Sequence, residues 1–103
     1  MLVKVCVGKR VFKYKVSHKG NYYFLYRMYD MPPNDVLLDV FKSPGLAVKG
    51  AINSAAWAYA FDKGINPHKL GLGGFLLSAS KFAREPAKYL GKAGIPIKVK
   101  ITS

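Results

Sequence analysis

The sequence predicts an α+β domain: a two-layer sandwich in which a mainly antiparallel four-stranded sheet, with elements in the order β-β-β-α-α-β, carries its helices packed on one face. Three features point there. Residues 1–29 contain three strand-like stretches separated by turns too short for a crossover connection. Residues 43–62 are helical in pattern and nearly all apolar. Residues 95–102 return to strict two-residue alternation. The 103 residues, half of them hydrophobic and free of low-complexity tracts, suit a single domain over 1–103 with a core of its own.

In the first strand Val3, Val5 and Val7 alternate with Leu2, Lys4 and Cys6; in the second, Phe12, Tyr14 and Val16 alternate with Val11, Lys13 and Lys15. Residues 22–29, YYFLYRMY, suit a pleated surface. Turns are expected at Gly8-Lys9-Arg10 and His18-Lys19-Gly20-Asn21. Pro32 and Pro33 end the sheet because proline donates nothing to a ladder. Asn34 then caps a short helix over Asp35 to Phe41. Ser43-Pro44 opens the main helix, which runs to about Asp62 with Val48, Ile52, Ala55 and Tyr59 in one stripe and Trp57 and Phe61 in a second, buried among other elements; Gly64 closes it. A further helix is expected from about Phe75 to Arg84, with Pro86 starting a new segment to Leu90. The last strand sets Ile95, Ile97, Val99 and Ile101 against Pro96, Lys98, Lys100 and Thr102.

Seventeen Lys and Arg against five Asp and Glu give a net charge of +12. Charge of that size repels itself in the folded state and favours a polyanionic partner. It is uneven: residues 1–33 hold seven basic and one acidic residue, residues 34–62 two and three, and residues 63–103 eight and one, for +6, −1 and +7. The excess therefore lies in the strands, their turns and the second helix. One cysteine, Cys6, excludes an intrachain disulfide. The longest uncharged runs, Gly50 to Phe61 and Leu70 to Ser80, are too short to span a bilayer, and Met1 to Val7 alternates instead of forming a signal-peptide core. These features predict a cytoplasmic protein without membrane association. Small, basic, acid-poor chains are common among phage and archaeal-virus proteins, which adds a host cytoplasm to the expected locations.

Alternation supplies the candidate site. With the valines, Phe12, Tyr14, Val16 and the C-terminal isoleucines toward the helices, the opposite face presents Lys4, Lys13, Lys15, Lys98 and Lys100. For the third strand the expected register puts Phe24, Tyr26 and Met28 inside, so that Tyr23, Arg27 and Tyr29 join the lysines; the reverse would bury the Arg27 guanidinium. Cations follow phosphates and aromatic rings stack on bases. Lys81, Arg84 and Lys88, at helical spacing, extend the basic footprint.

Other motifs carry less. Gly71, Gly73 and Gly74 lack the Walker and dinucleotide patterns and suit a tight turn. Asp35 and Asp39, four apart on the expected helix with Asp30 nearby, are the carboxylates a Mg²⁺-dependent nuclease would need, from a small supply. His18 and His68 lack metal-ligand spacing, Cys6 reads as a packed residue and Trp57 as core. No catalytic residue, metal or cofactor is expected. The leading expectation is a non-catalytic DNA- or RNA-binding protein of weak sequence specificity. The alternatives are a viral structural or interaction protein docking on an acidic protein, and a small nuclease. An exposed sheet edge also allows a homodimer by strand pairing.

Overall fold

Two glycine turns set the register of the N-terminal strands. The computed structural model describes residues 1–65 and 79–102, without the side chains of residues 79–81. Strand β1 (Leu2–Val7) turns at Gly8-Lys9 into β2 (Arg10–Lys19), which turns at Gly20-Asn21 into β3 (Tyr22–Met28). Gly8 and Gly20 take positive φ, +58° and +59°, at the first central position of a two-residue hairpin loop, where a side chain would be strained. Each loop fixes its pairing, with Lys4 opposite Lys13 across the first hairpin and Lys15 opposite Tyr26 across the second.

The segment expected as a helix at Asp35 to Phe41 is instead strand β4 (Asp35–Phe41), antiparallel to β3. A bulge between Leu25 and Tyr26 of β3 and their partners leaves Leu38 outside the pairing. With β5 (Ile97–Thr102) antiparallel to β1, the sheet has five strands in the order β4-β3-β2-β1-β5, one more than the sequence predicts.

Helix α1 (Pro44–Asp62) starts as expected: the Ser43 hydroxyl accepts the Leu46 N–H at 3.2 Å and Pro44 fills the first turn. Its contact stripe differs from the expected one. Ala47, Ala51, Ala55, Ala56 and Ala60 are buried against the sheet, whereas Val48, Ile52 and Tyr59 are half-buried. Trp57 and Phe61 are 47% and 79% exposed, so neither is core. Small side chains let the helix approach closely, and at Gly50 an added Cβ would lie 2.5 Å from the Phe41 ring. The core joins this alanine stripe to Val3, Val5, Val7, Phe12, Tyr14, Val16 and Leu25, closed by Phe82 and Leu90.

Pro86 divides the C-terminal helical region into α2 (Ala79–Arg84) and α3 (Pro86–Lys92). The expected helix start near Phe75, Gly71 to Gly74, His68 and the Lys81 side chain lie outside the described residues. The described part is thus a small α+β domain in which α1 packs on an antiparallel sheet and α3 packs on α1. Among the described residues no helix is long and apolar enough to cross a membrane.

Candidate functional site

Lys4, Lys13, Lys15, Lys98 and Lys100 share the face opposite the helices, because each alternates with a buried or helix-side neighbour: Val3, Val5, Tyr14, Val16, Val99. None of the described helices lies over this open face. Lys4 is directly opposite Lys13 on one side and Lys100 on the other, so three ammonium groups form one row across β2, β1 and β5. Cβ atoms in such positions are about 4.5–5.5 Å apart and like charges there repel. None of the three makes an ion pair among the described residues. Lys98 stands one step along β5, opposite Cys6.

Lys15 differs. Its ammonium meets the Asp35 carboxylate at 2.9 Å and lies 5.2 Å from the centre of the Tyr26 ring. The Asp35 contact raises its pKa above the ordinary lysine value. It is the row's neighbour in position but is largely neutralised by its partner.

The expected register of β3 is overturned. Lys13 pairs with Met28, Lys15 with Tyr26, Ser17 with Phe24 and Lys19 with Tyr22, so Tyr22, Phe24, Tyr26 and Met28 share the open face with the lysines. Tyr23 and Arg27 lie on the helix side, Arg27 opposite Tyr14. The feared burial of Arg27 does not arise. It sits half-exposed, with its guanidinium 5.3 Å from the Phe12 ring centre and 4.7 Å from that of Tyr29. Both rings lie within cation–π range of it without closing it off from water. Tyr23 stacks on His18 at 4.2 Å between ring centres, with its ring against the core. Tyr29 follows the end of β3, beside Arg27.

The open face therefore has two halves. The half on β2, β1 and β5 is cationic, and the half on β3 and β4 carries Tyr22, Phe24, Tyr26, Leu37 and Val40. Leu2 and Val11, both exposed, fill between the lysines. Arg84 and Lys88 lie on α2 and α3, away from this face, and the Lys88 ammonium approaches Glu85 at 3.7 Å. They do not extend the lysine row.

The paired-carboxylate expectation is also corrected. Asp35 and Asp39 belong to a strand, and the bulge between them sends Asp35 to the open face and Asp39 to the helix side. The Asp39 carboxylate accepts the N–H of Val40. Among the described residues no group of three or more His, Cys, Asp or Glu side chains is arranged to hold a metal ion. Trp57 lies against Phe82, with ring centres 5.8 Å apart, on the helix side.

Comparison with known proteins finds no matching family model, no similar curated protein and no similar solved structure.

Proposed function

We propose that this protein binds a nucleic-acid strand on the open face of its sheet, without catalysing a reaction on it. The observation that carries the reading is Lys4 with Lys13 and Lys100 on either side, a row of like charges with no acidic partner among the described residues. Such an arrangement costs folding free energy; a line of phosphates relieves it, and the ammonium groups release the cations condensed on that strand. Beside the row, Tyr22, Phe24 and Tyr26 offer rings to unstacked bases on the same surface. Backbone charge and base stacking both tolerate any sequence, so specificity is weak. The net charge of +12 draws the polyanion in from a distance.

A binding panel of single-stranded DNA, duplex DNA and RNA, titrated with salt, tests this. The expected result is a linear fall of log affinity with log salt concentration, reduced in slope when Lys4, Lys13 and Lys100 are replaced by glutamine. Affinity independent of salt, or retained by the triple variant, would refute it.

The apolar half of the same face favours a second reading, docking of an acidic protein. Leu37 and Val40 on the edge strand are exposed beside Phe24 and Tyr26, an arrangement that also suits a protein partner. Capture of one acidic protein with no oligonucleotide binding would select it.

A further inference from the structure

Strand β3 ends at Met28, opposite Lys13, but β2 continues to Arg10. Residues 10–12 thus have β1 beside them and no strand on the other side, which leaves a notch in the sheet. Residues from both faces line it: Lys13 from the open face, Arg10, Phe12 and Arg27 from the helix side, then Tyr29 and Asp30. The Arg10 guanidinium lies 5.6 Å from the Phe12 ring centre and donates to Asp62 at 3.0 Å. Arg27, between Phe12 and Tyr29, makes no ion pair and donates no side-chain hydrogen bond among the described residues. With its carbon centre near two rings and no carboxylate paired with it, the guanidinium keeps a fork of N–H donors that can take two oxygens of one phosphate. Lys13, Arg10 and Arg27 line the notch with Asp30, Arg10 already paired with Asp62, so Lys13 and Arg27 are the cations without an ion pair among the described residues.

Lys13 belongs to both features. It is the last member of the Lys100–Lys4–Lys13 row and a wall of the notch. A polyanion that follows the row arrives at the notch without leaving positive charge. To reach Arg27 it has to turn from one face of the sheet toward the other within a few ångströms.

We infer that the ligand strand leaves the open face at Lys13, bends through this notch and seats a phosphate on Arg27, with Arg10 as its second cation. The inference rests on the open-face reading and narrows it: the ligand is single-stranded. A duplex persists in direction over about 150 base pairs, and bending it by even 40–90° over 20–30 base pairs is costly, so it follows the corner only at a penalty that a single strand does not meet. A single strand rotates freely between nucleotides.

The test uses the full chain and fluorescence anisotropy with oligo(dT) of about 15 nucleotides and a blunt duplex of similar length. Variants are Arg27→Gln, Arg27→Lys, Arg10→Gln and Lys4→Gln, each checked by circular dichroism. The expected result is single-strand affinity roughly tenfold lower for Arg27→Gln, with the salt slope reduced by about 0.7. Arg27→Lys keeps the slope but not the full affinity, because it has the charge without the fork. The duplex binds at least roughly tenfold more weakly than the single strand. If Arg27→Gln does not fold, Arg10→Gln, at an exposed strand start, decides by the same loss of affinity and slope. Wild-type binding by both arginine variants alongside weakened Lys4→Gln overturns the notch and leaves the open face standing. Equal duplex affinity also overturns it. Unchanged binding by Lys4→Gln as well removes the open-face reading itself.

Discussion

Lys4 faces Lys13 directly across the β1–β2 pair, two ammonium groups at opposed positions with no carboxylate between them. Lys100 repeats the relationship on the other side of Lys4. Lys4 is therefore the residue at which stability and binding pull in opposite directions. Lys4→Gln relieves two repulsions, and Tm is expected to rise by roughly 1–4 °C at low salt, with the gain fading as salt screens the charges. The same change removes one phosphate contact, so affinity for a single strand should fall roughly fivefold at 0.1 M salt and the salt slope by about 0.7. Thermal melts and salt-titrated binding of one variant check both signs. A loss of stability would mean that Lys4 has a structural role these contacts do not reveal.

The two faces of β3 make a paired prediction. Tyr26 lies on the open face opposite Lys15, and Tyr23 stacks on His18 with its ring against the core. Tyr26→Ala should weaken single-strand binding by about 1–3 kcal/mol, the value of one stacked base, with a modest effect on Tm. Tyr23→Ala should do the reverse, lowering Tm by loss of packing and leaving affinity close to wild type. Intrinsic tyrosine fluorescence offers a further check, since quenching on binding should be reduced in the first variant, where Tyr22 remains on the open face, and retained in full in the second.

That pair also shows where the sequence was readable. In β1, β2 and β5, Lys4, Lys13, Lys15, Lys98 and Lys100 each fall between apolar residues and share one face as expected, whereas Val99 and Ile101 on the other side of β5 are exposed instead of half-buried. In β3 both faces are apolar or aromatic, so Arg27 alone had to choose the register, and it chose wrongly because a half-exposed guanidinium can lie over Phe12 and Tyr29 instead of being buried. The signal that settles the register was present in the turn. A two-residue loop at Gly20-Asn21 makes each pair of partners sum to the same number, Lys19 with Tyr22 and Lys15 with Tyr26, so outward lysines at odd positions require outward residues at even ones.

Strand β4 was not legible for a different reason. Its bulge shifts the alternation midway: Val36 and Phe41 point to the helix side, Leu37 and Val40 to the open face, and Leu38 has no place in the ladder. Two-residue periodicity fails over the segment, and Asn34-Asp35 imitates a helix cap. What makes it a strand is tertiary, the unpaired edge of β3 and the seat for Phe41 against Gly50. The alanine face of α1 was hidden for a related reason, since large apolar residues dominate a periodicity count while close packing on a sheet selects small ones.

Tyr14 provides a pH-dependent prediction. Its ring is fully buried and its hydroxyl donates to the Ser54 Oγ at 3.1 Å. Burial raises the pKa of the phenol above its ordinary value of 10.0. The folded state therefore holds this proton more tightly than the unfolded chain does. Its contribution is complete below about pH 10 and is lost as pH rises through the raised folded value. Tyr14→Phe should cost about 0.5–1.5 kcal/mol near neutral pH, through the lost hydrogen bond. Between about pH 9 and 11 the variant's Tm should fall less steeply than that of the wild type. Parallel curves across that range would show that Tyr14 does not control the alkaline limb.

The Lys15–Asp35 pair sets how much of the open face's charge is available. The ammonium and carboxylate meet at 2.9 Å in an exposed position, and Asp35 occupies a cation that would otherwise extend the site toward Tyr26. Asp35→Asn removes the negative charge and leaves a neutral side chain of the same shape. Lys15 is then free to contact phosphate, so single-strand affinity should rise several-fold and the salt slope steepen by about 0.7. Stability should change little at neutral pH, because exposed ion pairs contribute little. What the pair does contribute follows the Lys15 titration: the folded pKa is raised, so the contribution is present below the ordinary lysine value and lost as pH climbs through the folded one, and wild type and variant should converge in Tm at strongly alkaline pH. The same substitution removes a carboxylate that a nuclease would need. Tighter binding by Asp35→Asn with intact substrate in the presence and absence of Mg²⁺ for both proteins separates a binding platform from a metal-dependent enzyme. Wild-type cleavage that disappears in the variant would reverse that assignment.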